Sequence, residues 1–210
     1  MGTMNLHGSL LPAYRGAAPI NWAIIKGEKK TGVTTFLLQH QIDTGDILMQ
    51  RSLEIGPNET AGELHDRMML LGAQVVAESV EGLERHSLKG TPQHNENASY
   101  APKLQHENCR INFNAAAQDV HNFIRGLSPY PTAWTIVDGM QFNIFRSLVI
   151  DETSRDKPGM ILTSSHALRI CCADGAVELL EVQMQGKRRM NVRDFLNGYA
   201  IKGLYVEQPT

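Results

Sequence analysis

The apolar and polar positions fall into two patterns that meet near residue 100. In the first part, Pro19 followed by INWAIIKGE gives helical spacing behind a residue suited to a first turn, which predicts a short helix ending near Gly27. GVTTFLLQH is β-branched and apolar, and reads as a buried strand behind Gly32. ILMQRSLEI reads as a second strand, closed by Gly-Pro-Asn. The QIDTGDI stretch between them is a loop, since Asp, Thr and Gly are turn formers. Thr60 with Glu63 is a capping-box pair, and Leu64, Met68, Leu71 and Val75 recur at helical spacing, so one long helix is predicted over 60–86. KGTPQHNENASY, from residue 89, has polar and turn residues with no period.

Beyond it the pattern changes. Asn114 is placed to cap a helix, AAAQDVHNFIRGL. Five strand-like runs follow: TAWTIV, MQFNIFRSLVI, GMILTS, ALRICC and AVELLEVQM. Asp138-Gly139 and Asp174-Gly175 mark hairpin turns, and strands so closely spaced suggest a small barrel. A last short helix is predicted from Asn191 to Leu196. The expected architecture is α/β plus all-β: a domain over 1–88, a linker over 89–104 and a barrel over 105–210. The first domain is thin, with three strands and two helices. A parallel sheet that begins at its middle leaves an edge bare. Further chain before residue 1, or a partner over that edge, is therefore expected.

Composition narrows the class. The net charge of -2 excludes a wholly basic nucleic-acid binder. The second half is nonetheless slightly basic and holds the run Lys187-Arg188-Arg189. No apolar run approaches the ~20 residues of a membrane span, and no basic start leads into an apolar signal segment, so a cytoplasmic protein is expected. Cys109, Cys171 and Cys172 offer no C-x-x-C spacing, and adjacent cysteines seldom bridge, which suits reduced thiols.

The chemistry-bearing stretch is MNLHGSLLP. Asn5 and His7 are two residues apart, so on a strand they share a face. An Asn amide can donate to a developing oxyanion, and an imidazole can carry a proton at the same centre. A carboxylate would fix that imidazole, and Asp43 and Asp46 are the candidates. Ser9 near His7 raises a hydrolase dyad, but no G-x-S-x-G elbow is present. The eight histidines do not fall at metal-ligand spacing, and the aspartate loop lacks the ligand series of an EF-hand, so no metal is expected.

NLHGSLLPAYRGAAPINWAI followed by GVTTFLLQHQIDTGDILMQ resembles the formyltransferase family that uses N10-formyltetrahydrofolate. SYAPKL, GLSPYPTAW and GKRRM resemble the branch acting on methionyl-tRNA, and the resemblance covers nearly all of the chain. It implies Asn5, His7 and Asp43 as catalytic residues, with Asp46 a loop residue. It implies a folate-contacting segment Ser9, Leu10, Leu11 and Pro12, and a pterin-lining loop of Leu38, Gln39, His40, Gln41 and Ile42. The implied fold is the C-terminal part of a Rossmann-like formyltransferase domain followed by an OB-like β-barrel. The implied reaction is attack of a methionyl α-amino group on the formyl carbon, with Asn5 and His7 donating to the formyl oxygen. Asp43 would hold His7 and help pass a proton to the leaving nitrogen. The implied partner is methionyl initiator tRNA, met by Lys187, Arg188 and Arg189, with Lys103, Arg125 and Arg193 extending the patch and Arg15 near the acceptor end. A monomer is expected. Members of the family start roughly a hundred residues earlier, about one small domain, so weak activity of this chain alone is a further expectation. Two rivals stand beside this reading: a formyltransferase acting on an amino sugar nucleotide or glycinamide ribonucleotide, and a non-catalytic RNA-binding remnant. The YRGAAP turn is shared with the sugar enzymes, while the barrel and the basic run favour tRNA.

Overall fold

The structure, a computed structural model, describes residues 2–150 and 156–209. The chain divides into two compact units, one of residues 1–24 and 28–104, the other of residues 25–27 and 105–210.

The first unit is built on an antiparallel sheet in the order β1-β3-β4, from β1 (Met4–His7), β3 (Lys30–Leu37) and β4 (Ile47–Glu54). Alternation along the strands gives it two faces. Leu6 and its cross-strand partner Thr35 face α2 (Ala61–Glu84): a Cβ on Gly72 would lie 2.7 Å from Leu6 Cδ2, and the Thr35 and Ser79 hydroxyls are 2.7 Å apart. Thr60 and Glu63 close the capping box at the start of α2. Leu64, Met68 and Val75 of α2 pack on Val33, with Ala23 and Ile24 of α1 (Pro19–Ile25) completing the cluster. The other face holds Thr34, whose hydroxyl donates to Ser9 O at 2.6 Å and accepts from Leu11 N at 3.1 Å and Gln50 Nε2 at 2.9 Å. That one side chain ties the turn after β1 to both neighbouring strands.

Residues 89–104 have more partners than a linker reading suggests. Thr91 exchanges two 2.8 Å backbone bonds with Ile47. β5 (Tyr100–Ala101) pairs parallel with β2 (Arg15–Gly16), and Tyr14 N donates to Ser99 Oγ at 2.9 Å. The segment lacks a hydrophobic period because it is a strap held by polar bonds, not because it hangs free.

The second unit carries α3 (Ala117–Leu127) and an antiparallel sheet of β6 (Ala133–Val137), β7 (Met140–Ile150), β8 (Ile161–Thr163), β9 (Leu168–Cys171) and β10 (Ala176–Met184), in the order β6-β7-β10-β9-β8. β11 (Met190–Asn191) pairs with β10 and leads into α4 (Val192–Gly198), capped by Asn191. Asn114 does not cap α3. The helix begins at Ala117, whose N–H donates to Asp174 Oδ1 at 2.7 Å, while Asn114 binds Asn112. The chain after α4 reaches both outer strands: Ile161 N donates to Leu204 O (2.8 Å), Val206 N to Gly159 O (2.9 Å) and Glu207 N to Ile136 O (3.1 Å). This segment thus bridges the β8 and β6 ends of the sheet.

Asp138 anchors that closing segment. It sits in the β6–β7 turn with φ 52, followed by Gly139 with φ 75, the left-handed pair a tight hairpin requires. Its carboxylate accepts from Lys202 N (3.0 Å), Gly203 N (2.7 Å) and Tyr199 OH (3.0 Å). Burial pushes its pKa up, but these three donors and the Lys202 charge outweigh it and hold the carboxyl below its ordinary range. A folded pKa below the unfolded ~3.9 means stabilisation present above that pH and lost as pH falls through the folded value. Asp138→Asn keeps a residue that tolerates the left-handed turn but removes the charge. Thermal unfolding at pH 7 is expected to show a Tm lower by ~3 °C, with the difference closing as pH falls through the carboxyl's folded pKa.

Candidate active site

His7 ends β1 and is buried. Its Nε2 lies 2.8 Å from Tyr14 O, and because a carbonyl only accepts, Nε2 carries a proton. Its Nδ1 lies 3.6 Å from Asp43 Oδ2. Both ring nitrogens therefore face acceptors, one a fixed carbonyl and one a carboxylate. Tyr14 presents its carbonyl from a left-handed conformation, φ 60, uncommon for a bulky residue. Its phenol donates to Glu28 at 2.7 Å; burial first, and then Glu28, push its pKa well above the usual range, so this anchor stays protonated.

Asp43 also has positive φ, 54, which Asp tolerates better than most residues. Two bonds hold it and a third holds its loop: Gly16 N donates to Oδ2 (2.9 Å), and Gln93 Nε2 donates to Asp43 O (2.9 Å) and to Gly45 O (2.8 Å). Gln93 is in turn clamped by Arg15, whose Nε and Nη2 reach Gln93 Oε1 at 3.1 and 2.7 Å, with Nη1 and Nη2 on Asn95 Oδ1. Arg15 is only 4% exposed. The expectation that it meets tRNA is corrected: its guanidinium is spent on the loop that carries Asp43.

Asn5 shares the face of His7 by its two-residue spacing on β1. Its side chain is exposed, and its Oδ1 accepts from Leu6 N at 2.9 Å. Asp46 packs beside Gly90 and uses its carbonyl for Leu37 N at 2.9 Å; among the described residues it makes no ion pair with His7.

The folate-segment residues divide. Ser9 and Leu11 are buried, and Ser9 Oγ donates to Ala13 O at 2.5 Å, so the expectation that these two side chains touch folate is corrected: they fasten the turn from inside. Leu10 and Pro12 are half-buried. A Cβ on residue 32 would stand 2.3 Å from Arg51 O and 2.5 Å from Leu10 Cδ2, which is why residue 32 is Gly. Leu38, Gln39, His40, Gln41 and Ile42 are all exposed, with Ile42 77% accessible on the loop that leads to Asp43. An exposed apolar pair, Leu38 and Ile42, beside a polar site suits the edge of a flat ring system.

Of the basic residues, Lys103, Lys187, Arg188 and Arg193 are exposed. Arg189 is exposed too, but it donates to Glu181 at 2.5 Å and lies 4.1 Å over the Phe145 ring. Arg125 is corrected: it is buried in α3 and its Nε donates to Asn122 Oδ1 at 2.9 Å, so it offers no surface charge. Among the described residues no group of three or more His, Cys, Asp or Glu is placed to hold a metal ion. Gln93 and Tyr14 were not candidates from sequence. Their roles depend on partners far along the chain or on a backbone carbonyl, which no spacing reveals.

Residues 1–80 match the family described as formyl transferase, and residues 103–200 match the formyl transferase C-terminal domain. The methionyl-tRNA formyltransferase of Chlorobium phaeovibrioides is 46% identical over 202 residues, covering 95% of this chain and 63% of that protein. The protein of the same name from Porphyromonas gingivalis is 44% identical, covering 99% and 68%. The chain thus spans about two thirds of the length of the curated relatives it matches. Among solved structures, WlaRD, described as a sugar 3N-formyl transferase, aligns with a TM-score of 0.70 at 25% identity, covering 88% of this chain and 66% of that one. HypX from Aquifex aeolicus in complex with tetrahydrofolic acid aligns at 0.72 with 24% identity over 93% of this chain and 35% of HypX, a likeness of fold.

Proposed function

The chain belongs to the formyl transferase family, and from that premise we propose that it moves the formyl group of N10-formyltetrahydrofolate onto the α-amino group of methionyl initiator tRNA, in the cytoplasm. The observation that carries this reading is the pair of buried His7 and half-buried Asp43, 3.6 Å apart, with His7 on the same strand face as Asn5. The folate supplies an activated one-carbon group. Asn5 would donate its amide to the formyl oxygen as charge develops there, an interaction worth ~3 kcal/mol in comparable sites. His7, oriented by Asp43 and by Tyr14 O, would carry a proton between the amine and the leaving nitrogen. Leu38 and Ile42 would cover the pterin ring, with Leu10 and Pro12 on its other side.

The first unit is read as part of a Rossmann-like domain and the second as an OB-like barrel. The bridging of β8 and β6 through residues 204–207 supports the barrel. Lys187 and Arg188, exposed after β10, are the cations proposed to meet the tRNA backbone, with Lys103 and Arg193 as further candidates. Their presence favours tRNA over the sugar nucleotide suggested by the likeness to WlaRD.

The test gives purified chain the formyl donor with either methionyl initiator tRNA or an amino sugar nucleotide. Formylation of the tRNA alone is expected; preference for the sugar would overturn the acceptor. The double variant Lys187→Ala, Arg188→Ala is expected to weaken tRNA binding and to lower its log–log salt slope by between about 1 and 2. An unchanged slope would remove these residues from the interface.

A further inference from the structure

The outer face of β7 and β10 departs from what a strand surface ordinarily carries. Phe142, Ile144, Val182 and Met184 are buried, so Gln141, Asn143 and Gln183 lie on the opposite side of the sheet. Asn143 and Gln183 stand directly across from each other in the register. Gln185 follows at the end of β10: its N–H donates to Gln141 O at 2.8 Å, and its Oε1 accepts from Gln141 N at 3.2 Å. Together with Met184 and Gly186 these carboxamides line a groove of about 220 Å³. Asn is depleted in strands, and Gln lacks the β-branched or aromatic body that favours them. Clustered departures from local preference point to function.

The side chains form a row of fixed direction. Gln183 Nε2 donates to Lys187 O at 3.0 Å, and a carbonyl only accepts, so Gln183 keeps its Oε1 for the other side. That oxygen accepts from Asn143 Nδ2 at 3.3 Å, and Asn143 Oδ1 accepts from Gln141 Nε2 at 2.8 Å. Each of these amides spends one N–H on the row and keeps a second. Among the described residues no protein partner meets those second N–H groups, nor either side-chain N–H of Gln185. The groove therefore offers more donors than acceptors, and no charge. It ends at the turn that carries Lys187 and Arg188, both exposed. One surface thus joins an uncharged donor row to a pair of cations.

We propose that the row Gln141, Asn143, Gln183 and Gln185 is a binding site for the minor groove of an RNA helix. Its N–H groups meet ribose 2′-hydroxyls and base-edge acceptors, while Lys187 and Arg188 hold the adjoining phosphates. The A-form minor groove is wide and shallow and displays the 2′-hydroxyls, so side chains standing on two strands reach it. The minor groove of B-DNA is about 6 Å wide and lacks the hydroxyl. A ribose hydroxyl accepts as well as donates, which suits a donor-rich surface. Phosphate contacts set the position of a nucleic acid and carry the salt dependence. The amide row adds a contact that is insensitive to salt and separates RNA from DNA. The assignment rests on the reading of the second unit as a tRNA binder, and names the residues that meet a stem through something other than its charge.

The test measures binding of the full chain to unacylated initiator tRNA and to the same tRNA carrying 2′-O-methyl groups throughout its stems. Methylation keeps the A-form and the phosphates but blocks the minor groove. It is expected to weaken binding at least ~10-fold with the log–log salt slope unchanged. The double variant Gln141→Met, Gln185→Met removes donors with unbranched side chains of similar size. It leaves the Gln183–Lys187 bond that holds the basic turn. It is expected to bind unmodified tRNA at least ~10-fold more weakly, with the parental slope, and methylated tRNA within a factor of ~2 of the parent. A variant that binds unmodified tRNA like the parent, loses equally on both RNAs, or changes the slope would overturn the proposal and leave the tRNA reading standing. Methylation without effect on the parent would do the same, and that arm needs no variant. Absence of tRNA binding by the parent chain would remove both.

Discussion

Asp43→Asn is expected to lower the formyl-transfer rate of the chain by ~10²- to 10³-fold with no change in fold. Asn is nearly the same size as Asp and accepts positive φ, so the loop keeps its shape. Its carbonyl oxygen still receives Gly16 N–H, and Gln93 still holds the backbone on both sides. What changes is the charge on the oxygen facing His7 Nδ1: Oδ2, which also receives Gly16 N–H, becomes the oxygen of a neutral amide in place of a carboxylate. The imidazole keeps its Nε2–H on Tyr14 O but loses the anion that would stabilise positive charge developing on the ring during proton transfer. The loss should fall on kcat, with KM for the tRNA little altered and circular dichroism unchanged. Asp46→Asn is the matched control. Its side chain packs beside Gly90 rather than on His7, so its rate should stay within a factor of ~2 of the parent. Equal rates for Asp43→Asn and the parent would remove Asp43 from the mechanism.

The parts legible in the sequence are those whose cause is local. Thr60 and Glu63 sit three residues apart, so α2 announces its own start. Asp138-Gly139 fixes a turn with its own backbone preference, which is why β7 and its neighbour fall where the pattern placed them. The parts that were not legible depend on distant partners. β2 and β5 are two residues each and exist because Arg15 meets Tyr100. α3 starts three residues after Asn114 because Asp174 reaches Ala117 N from the far end of a hairpin. Charge alone gave no sign that Arg15 and Arg125 are buried; each was claimed by amides, Gln93 and Asn95 for one and Asn122 for the other. The candidate site was legible as residue types, and of these the structure brings His7 and Asp43 within 3.6 Å of each other. The clamp that positions Asp43 was not legible, since it crosses fifty positions from Gln93.

Gly45→Ala is expected to be the most disruptive small substitution in the first unit. A Cβ at residue 45 would lie 1.5 Å from Leu37 O and 2.7 Å from Leu37 C, inside the backbone of β3 rather than against a movable side chain. The loop must separate from the strand by more than an ångström. That displacement pulls on two bonds that end on the same turn, Leu37 N to Asp46 O at 2.9 Å and Gln93 Nε2 to Gly45 O at 2.8 Å. A destabilisation of ~1–3 kcal/mol is expected. Asp43 is two residues away, and its oxygen cannot stay 3.6 Å from His7 Nδ1 if the loop moves as a body. A misplacement of ~1 Å costs about 10²-fold in rate, so folded Gly45→Ala, assayed well below its Tm, should retain about one per cent of parent activity. Gly198→Ala is the control, because nothing lies within 4 Å of its added Cβ; both Tm and rate should be unchanged or slightly raised. The two site variants then separate two causes. Asp43→Asn removes charge without moving the loop, and Gly45→Ala moves the loop without removing charge. If Gly45→Ala lowered Tm but kept full activity, the loop would not be what sets the position of Asp43, and the His7–Asp43 pair would lose its place in the mechanism.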